Sequence, residues 1–266
     1  MPQRPAPPLI TLLTDFGLQD HFVGVMRGVI AAIAPRARVI DITSAVAPYN
    51  LPQARFLLAQ SWPYFPKATI HLAIVDPGVG SARRPILVET QGHRFIGPDN
   101  GLLSDLLDLP ATTIRHIVNA RLFLPAVSAT FHGRDIFAPV AAHLAAGVPS
   151  SRVGPLVADA LREPPLAARQ TSPRTWTGQV LHVDRFGNLI TSLRLADLPD
   201  LARHPFLLQL GPLQLSALAP NYSSGPPGRP ILMAGSSGCL EIAANQDSAA
   251  ALLGVGCGER VELTLI

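Results

Sequence analysis

The chain has 266 residues, of which 48% are hydrophobic and only 15% are charged, with a formal net charge of +3. This composition excludes a disordered protein, and the absence of a basic run gives no indication of nucleic-acid binding. No apolar run approaches the roughly 20 residues of a membrane span, and the N-terminus lacks the apolar core of a signal peptide. Cys239 and Cys257 have neither disulfide-framework nor metal-site spacing. We therefore expect a cytoplasmic protein with no membrane partner.

Short apolar runs rich in β-formers alternate with helix-like segments over the first 75 residues. The pattern predicts strands at residues 9–13, 38–42 and 69–75, and helices at residues 22–34 and from about residue 51 to residue 62. A β-α-β-α-β order of this kind is typical of a largely parallel sheet that is covered by helices. The fold class predicted for this part of the chain is therefore α/β.

Further elements extend this first domain. A hairpin is predicted around Gln91 and Gly92, between strands at residues 85–89 and 93–96. A short helix at 102–107 and a strand at 114–118 follow, and a last helix is predicted at 136–146. Residues 1–163 are thus predicted to form one N-terminal α/β domain.

The character of the chain changes after residue 163. Residues 164–175 are polar and contain prolines, so they are predicted to form an inter-domain linker. Beyond them, one helix is predicted at residues 248–253, and the other elements are short strands separated by Gly, Pro and Asn, at residues 180–183, 189–191, 206–210, 231–234, 240–243 and 261–265. Residues 176–266 are therefore predicted to form a smaller all-β domain, a barrel or a sandwich.

A carboxylate and an arginine flank the loop that follows the strand at 69–75. Asp76 comes directly after the apolar run, and Pro77 and Gly78 turn the chain there. Ligands bind at this carboxyl end of the strands in open α/β sheets. Arg83, seven residues later, can return to Asp76 across the loop. The pair is either part of a site or an ion pair that only fixes the loop.

Five further polar clusters interrupt the apolar chain, and each is a weak signal alone. Asp15-Phe16-Gly17 matches the magnesium motif of protein kinases, but no kinase phosphate loop or catalytic loop accompanies it. His132 is predicted near a helix N-terminus, where it could face a ligand or simply be a core or capping histidine. The clusters are residues 14–17, 48–50, 131–135, 184–188 and 235–245.

Taken together and in this order, these motifs resemble one family. They are VDPGVG at 75–80 with the following arginines, FIGPDNG at 95–101, FHGRD at 131–135, D-x-FGN at 184–188 and SSG-x-LEIA-x-N at 236–245. The chain resembles the S-adenosyl-L-methionine (SAM) hydroxide adenosyltransferases, which are adenosine-forming SAM hydrolases related to the SAM-dependent fluorinase and chlorinase. The resemblance extends from residue 10 to residue 265.

The resemblance implies roles for residues of the first domain. The family's Asp-Arg-His triad falls on Asp76, Arg83 and His132, which would act on the water that attacks SAM. Its ribose-binding aspartate falls on Asp15, next to Phe16 in the same substrate-binding loop. An aromatic residue beside the sugar and the sulfonium falls on Tyr49.

The resemblance also implies substrate contacts in the second domain. Asp184, Phe186 and Asn188 would hold the methionine amine and the adenine edge, and Ser236 would lie near the methionine carboxylate. Glu241 and Asn245 belong to the same C-terminal motif and are predicted to bind substrate with it. The family fold is an α/β domain followed by a β-barrel-like domain. Its members form homotrimers in which SAM lies between domains of neighbouring subunits, and SAM is a substrate, so no cofactor or metal is expected.

Two alternatives to a SAM hydrolase stay open at this point. The first is a SAM-dependent halogenase. The halogenases carry a halide-binding serine after an aromatic residue where this chain has His132 and Gly133, and they carry an aromatic residue where it has Asp76. The second is a non-catalytic protein that binds SAM or adenosine. Such a protein would have no need of Arg83, so the complete triad favours an enzyme.

Overall fold

The computed structural model describes residues 6–201 and 203–266, which form two compact units that divide between Pro165 and Leu166. The first unit is a mixed α/β domain and the second is a barrel-like β domain, so the predicted fold class is confirmed. Among the helices of the described residues, none is long and apolar enough to span a bilayer.

A six-stranded sheet forms the centre of the first unit. Its strands are β1 (Leu9–Thr14), β2 (Arg38–Thr43), β3 (Ile70–Ile74), β4 (Pro85–Thr90), β5 (His93–Pro98) and β6 (Thr113–His116). Their order in the sheet is β2-β1-β3-β5-β4-β6. Strands β2, β1, β3 and β5 are parallel, whereas β4 is antiparallel to both of its neighbours.

The helices of the first unit agree with the sequence pattern except at one start. They are α1 (Phe22–Ile33), α2 (Leu51–Ser61), α3 (Ser104–Leu107) and α4 (Ala138–Ala145), with 3₁₀ turns at Trp62–Tyr64, Ala120–Leu122 and Ser150–Arg152. A π-helical turn, Gly133–Phe137, precedes α4. The helix predicted from residue 136 therefore begins earlier, directly after His132.

Alternate residues of the central strands enter two different hydrophobic clusters. Leu72 and Ile74 of β3 pack in one cluster with α1 and α4, whereas Ala73 lies in the other cluster with residues of α2 and α3. Because both faces are buried, all residues of β3 except His71 are apolar, as is usual for parallel strands. The pairing of β1 with β3 places Thr14 opposite Ile74. The polar residues Asp15 and Asp76 therefore leave the sheet at the same edge.

A buried polar network crosses the opposite half of these strands. His71 is fully buried; its Nδ1 lies 2.8 Å from the Thr11 hydroxyl and its Nε2 lies 3.2 Å from Nδ1 of His93. The ring of His71 also stacks on Phe95, with 4.8 Å between ring centroids. Burial, together with the nearby His93, lowers the pKa of His71 to about 3. His71 is therefore neutral in the folded protein at ordinary pH.

The second unit is a curled nine-stranded sheet. Its order is β11-β10-β15-β8-β9-β14-β13-β12, with β7 paired to β8. The elements are β7 (Arg169–Ser172), β8 (Thr175–Val183), β9 (Leu189–Arg194), β10 (Phe206–Leu210), β11 (Leu213–Leu215), β12 (Leu218–Ala219), β13 (Pro230–Ala234), β14 (Cys239–Ala244), β15 (Arg260–Leu265), α5 (Ala249–Leu253) and 3₁₀ turns at Leu195–Asp197 and Tyr222–Ser224.

The predicted linker differs from the structure in its second half. Residues 169–172 form β7, which pairs with the start of β8, so residues 164–168 and the turn at 173–174 are the parts of the predicted linker without regular structure. All four residues of β7 are exposed. An edge strand with no buried face has no apolar alternation, and the pattern that identifies strands in a sequence is therefore absent.

His71→Gln should reduce the loss of stability on acidification. The unfolded chain binds a proton at His71 near its ordinary pKa of 6.5, whereas the folded protein does not until about pH 3. The free energy of unfolding should therefore decrease as pH falls below 6.5, with a contribution from this group approaching roughly 1.4 kcal/mol per pH unit. Urea unfolding at neutral pH and at about pH 5 measures the difference. The exposed His204→Gln should retain the wild-type dependence, and an unchanged dependence in His71→Gln would contradict the assignment.

Candidate active site

Arg83 joins the two segments that the sequence assigns to one triad. Its Nε donates to Oδ1 of Asp76 at 2.9 Å and its Nη2 donates to Oδ2. The same Nη2 donates to Nδ1 of His132 at 2.8 Å. The side chains of Arg83 and Asp76 are only 8% and 5% exposed. The predicted triad is therefore assembled within the first unit, from residues up to 56 positions apart in the chain.

The contact with Arg83 fixes the proton on His132. A guanidinium can only donate, so Nδ1 of His132 is the acceptor and the neutral ring carries its proton on Nε2. Burial and the charge of Arg83 lower the pKa of His132, and the opposing influence of Asp76 and Asp135 is smaller. His132 is thus a neutral side chain with one N–H donor that Arg83 leaves free.

A small cavity of about 110 Å³ lies at the triad. This volume is enough for a few water molecules. Asp76 and His132 line the cavity, and the other lining residues are Phe16, Phe22, Ile74, Val79, Thr130, Phe131 and Gly133. Arg83 does not line it; its guanidinium carbon lies 5.2 Å from the centroid of the Phe137 ring. A carboxylate, an imidazole, the side chain of Thr130 and several aromatic rings therefore line a space in which a water molecule could be held.

Gly133 lies in the cavity wall where a side chain would not fit. A Cβ built there would lie 3.1 Å from Cε2 of Phe131, 3.2 Å from Sδ of Met26 and 3.3 Å from Cε2 of Phe16. These distances are tighter than ordinary van der Waals contacts, so any side chain would have to displace its neighbours. A hydroxyl group is therefore not accommodated at this position without a change in the surrounding packing.

The other predicted residues of the first unit lie at the same edge of the sheet. The backbone N–H of Tyr49 donates to Oδ2 of Asp15 at 2.9 Å, so these two residues are brought together. Tyr49 has a left-handed backbone, with φ of 65°, and its side chain is 71% exposed. Phe16 packs against Phe22 and Phe131, with ring centroids 5.8 and 6.0 Å away. Phe16 is thus part of the cavity wall, and Asp15 and Tyr49 lie in the loops beside it.

Asp184 organises a tight turn in the second unit. Its Oδ1 accepts the backbone N–H groups of Phe186 and Asn188, and its Oδ2 accepts Nδ2 of Asn188, all at 2.9 Å. Gly187 has φ of +83°, and a Cβ there would lie 2.0 Å from Oγ of Ser248, so only glycine fits. The turn leaves the Phe186 ring 77% exposed.

A larger cavity lies at this turn. Its volume of about 660 Å³ is within the usual range of small-molecule sites. Three predicted residues line it, and the full lining is Asp184, Phe186, Asn188, Tyr222, Ala244, Gln246, Asp247 and Ser248. The sequence analysis did not identify Tyr222. This residue lies in a Ser-, Gly- and Pro-rich loop. The chain has only three tyrosines, and this rarity was the one sequence feature that could have drawn attention to Tyr222.

Glu241 and Asn245 contact the loop that contains Tyr222. The Tyr222 hydroxyl donates to Oε1 of Glu241 at 2.8 Å, and Nδ2 of Asn245 donates to the carbonyl of Gly225 at 2.9 Å. Burial raises the pKa of Glu241, and nearby Asp184 raises it further although the Tyr222 bond opposes both. Burial and the bond to Glu241 raise the pKa of Tyr222 to about 12. In the structure, Glu241 and Asn245 therefore fix the position of the Tyr222 loop, which forms one wall of the cavity.

Ser236 lies in the exposed turn between β13 and β14. Its neighbour Gly235 is close to Glu241, because a Cβ at Gly235 would lie 2.8 Å from Oε2 of that residue. Ser236 thus follows a residue whose backbone lies close to Glu241, and its own contacts do not assign a role. Among the described residues, no group of three or more His, Cys, Asp or Glu side chains could hold a metal ion.

Two family models match the chain, and together they span most of it. The model of the SAM hydroxide adenosyltransferase N-terminal domain matches residues 10–154, and that of the C-terminal domain matches residues 178–262. The chain belongs to the SAM hydroxide adenosyltransferase family. The resemblance inferred from its motifs is thereby confirmed.

Individual relatives agree with this assignment. The (R)-S-adenosyl-L-methionine hydrolase of Salinispora arenicola is 40% identical over 265 residues, which cover 97% of this chain and 98% of that protein. A fluorinase of Actinopolyspora mzabensis is 26% identical over 91% of this chain and 92% of its own length. The crystal structure of an uncharacterized conserved protein from Thermotoga maritima has a TM-score of 0.88 and 36% identity, and the match covers 96% of this chain and 99% of that one.

Tyr222→Phe should destabilise the second unit of this adenosyltransferase. The change removes the hydroxyl donor of the buried Glu241 carboxylate, and an unsatisfied buried acceptor costs about 1–3 kcal/mol. The added change Glu241→Met removes that acceptor and should recover part of the loss. Urea unfolding followed by Trp176 fluorescence measures both effects. Tyr64→Phe, at a side chain that is 86% exposed, is the control; equal midpoints for all four proteins would show that the bond contributes nothing.

Proposed function

We propose that this protein is a SAM hydrolase that converts SAM and water into adenosine and L-methionine. The observation that carries the proposal is that Arg83 forms hydrogen bonds with both Asp76 and His132 beside a small cavity. The chain that contains this arrangement is a member of the SAM hydroxide adenosyltransferase family. Relatives that share about 40% of their residues with this chain over nearly its full length are named (R)-S-adenosyl-L-methionine hydrolases. We extend to this chain both the substrate and its R configuration at sulfur.

The reaction is a substitution at C5′ of the ribose. An oxygen of water forms a bond to C5′ while the C5′–S bond breaks, and the electron pair leaves with the sulfur of methionine. The water loses one proton in the course of the step. A positively charged sulfonium leaves as a neutral thioether, so it needs no acid, and no electrons enter or leave the system. The bond changes therefore require no metal or cofactor, and we propose that the enzyme uses none.

Asp76 is the better candidate for the group that accepts the proton. Arg83 occupies one lone pair on each of its oxygens, which leaves others free at the cavity. His132 is a poor candidate because its Nδ1 already accepts from Arg83 and its Nε2 carries a hydrogen. We infer that His132 donates from Nε2 to the attacking oxygen and that Asp76 receives the proton. This division of roles follows from the bonding around Arg83.

Arg83 has two effects on this arrangement. Its bonds hold the two cavity-facing groups at a fixed separation, and well-oriented reactants can lower a barrier by roughly 7–11 kcal/mol in favourable cases. Its charge also stabilises the negative charge that grows on the oxygen as the proton leaves. Neither effect helps SAM to bind, because SAM already carries a positive charge at sulfur. The contribution of Arg83 should therefore lie in turnover.

The remaining predicted residues are proposed to hold the substrate. Asp15 would bind the ribose hydroxyls, with Phe16 and Tyr49 beside the sugar and the sulfonium. Asp184, Phe186 and Asn188 would bind the methionine amine and the adenine edge in the cavity that they line, and Ser236 would bind the methionine carboxylate. Glu241 and Asn245 would contribute by holding the loop of Tyr222.

The halogenase alternative is less well supported by the site. A halide would need a small donor in place of the water-binding groups, and Gly133 has no hydroxyl, while a side chain there would press against Phe131 and Met26. The carboxylate of Asp76 at the cavity would also repel an anion, whereas it attracts the hydrogens of water. The site therefore favours an oxygen nucleophile over a halide ion.

We also propose that the enzyme is a cytoplasmic homotrimer. The family resemblance implies sites that combine residues of two subunits, which would make assembly a condition of activity. The unpaired cysteines, Cys239 and Cys257, are compatible with a reducing compartment. These statements concern assembly and location, and each stands apart from the proposed reaction.

The purified protein should release adenosine and methionine in equal amounts from SAM. Because the bond changes need no metal, an excess of EDTA should leave the rate unchanged, and chloride or fluoride should add no halogenated nucleoside. Chromatography with mass detection measures all three outcomes. A 5′-halogenated deoxyadenosine at a yield comparable to adenosine would overturn the hydrolase assignment, and activity that needs a divalent ion after EDTA would overturn metal independence.

Arg83→Ala should separate turnover from binding. The change should lower kcat by about 10² or more, as the loss of one electrostatic donor does in other enzymes, and SAM affinity should be maintained or improve. Asp15→Ala should instead weaken binding, because it removes a ribose contact. Calorimetry and adenosine release measure the two effects, and the exposed Arg121→Ala serves as control. Weak binding with normal turnover at saturation in Arg83→Ala would make Arg83 a substrate or loop contact only.

Mixed trimers test the shared site. Arg83→Ala and Asn188→Ala should each be inactive alone, since they lose a first-unit and a second-unit residue. If one site takes residues from two subunits, exchange between the two proteins should create some complete sites and restore part of the activity. Native mass spectrometry verifies the mixing. Verified mixed trimers that recover no activity would contradict the shared site without affecting the reaction assigned above.

A further inference from the structure

We infer that Asp135 is a positioning residue for His132 and, through His132, for Arg83. This inference rests on the proposed function, in which the ring of His132 faces the attacking water. Asp135 is the last residue of the FHGRD motif, and the family resemblance implies no role for it. Its carboxylate is fully buried and lies in the π-helical turn that begins directly after His132.

Every polar contact of the Asp135 carboxylate is with a hydrogen-bond donor. Oδ2 accepts the backbone N–H of Ser128 at 2.8 Å and its hydroxyl at 2.7 Å. Oδ1 accepts Nε of Arg134 at 2.6 Å, and Oδ2 also accepts Nη2 of Arg134 at 3.1 Å. Burial alone would raise the pKa of Asp135, but these bonds outweigh it and lower the pKa. Asp135 is therefore an anion that closes residues 128–135 into a ring.

Two contacts connect this ring of residues to Phe131 in the cavity wall. The hydroxyl of Ser128 accepts the backbone N–H of Phe131, the residue that precedes His132, at 3.0 Å. On the other side, the guanidinium carbon of Arg134 lies 5.2 Å from the centroid of the Phe131 ring. Both contacts come from residues bonded to Asp135, and they end at the wall next to the water-binding groups.

The charge of Asp135 also acts on His132 directly. The charged groups around the ring are Arg83, which lowers the pKa of His132, and Asp76 and Asp135, which raise it. Removal of the Asp135 charge should therefore lower the pKa of His132 further. A residue that only stabilised the fold would leave this pKa unchanged, so the titration of His132 distinguishes the two roles.

Asp135→Asn is the direct variant, because an amide cannot accept from four donors. We expect kcat to decrease by roughly ten- to a hundredfold, the size of effect that a small misplacement produces, while the dissociation constant of SAM stays within about twofold. The acid limb of the kcat/KM profile and the ¹⁵N titration of the His132 ring should both move to lower pH. Asp105→Asn is the control, because it removes the charge partner of the buried Arg55 away from this ring. It should change neither the kcat/KM profile nor the His132 titration.

A second pair of variants allows for poor folding of Asp135→Asn. Ser128 is only partly buried, so Ser128→Ala should fold, and it removes the hydroxyl that connects Asp135 to Phe131. It should lower kcat without weakening SAM binding, whereas Ser128→Thr keeps the hydroxyl and should restore turnover. A loss of kcat without any movement of the His132 titration in the variants would overturn the inference, as would an unchanged kcat.

The NMR titration also separates this inference from the proposed function. The ring nitrogens of His132 report their tautomer and pKa whether or not SAM is cleaved, and the wild-type protein should show the proton on Nε2. An inactive wild-type protein with these responses would reject the proposed reaction and keep the link from Asp135 to His132. An active wild-type protein whose His132 does not respond to either variant would reject the link and keep the reaction.

Discussion

The arrangement of the site depends on one buried guanidinium. Arg83 bonds to both oxygens of Asp76 and to Nδ1 of His132, and the side chains of Arg83 and Asp76 are nearly removed from solvent. A buried charge is tolerated only where it is paired and hydrogen-bonded, so loss of either partner would be costly. The same bonds constrain the neighbours: His132 keeps its hydrogen on Nε2, and both carboxylate oxygens of Asp76 accept from Arg83. The geometry of one arginine thus determines which group can take a proton and which can only give one.

The features that sequence alone could predict are those with a strong local signal. Strand β3 is predictable because a parallel strand with both faces buried is rich in apolar residues, and its end is predictable because Pro77 and Gly78 turn the chain there. Since parallel strands place their carboxyl ends together, Asp15 and Asp76 lie at one edge of the sheet. The contact of Arg83 with Asp76 could be anticipated from a short loop, whereas the addition of His132, 49 residues further along, came from the family resemblance.

Other features had no such signal. The exposed β7 lacks a buried face, and the short strands β11 and β12 hold too few residues for a period to be visible. The π-helical turn after His132 depends on the contacts of Asp135 with Ser128 and of the Asp135 carbonyl with Leu124, which are tertiary contacts that no periodicity encodes. Tyr222 was missed for a similar reason, because its place in the cavity depends on Glu241, 19 residues away and on another strand. The functional assignments of the second unit were therefore the part that local sequence could support least.

The central claim is that an oxygen from water attacks C5′ of SAM, and isotope labelling tests it most directly. The enzyme should be incubated with SAM in ¹⁸O-labelled water, and the adenosine formed should be analysed by mass spectrometry with fragmentation at the ribose. If water is the nucleophile that Asp76 and His132 hold, adenosine should carry one ¹⁸O atom at the 5′ position and methionine should carry none. Adenosine without label, or label found only in methionine, would contradict the account.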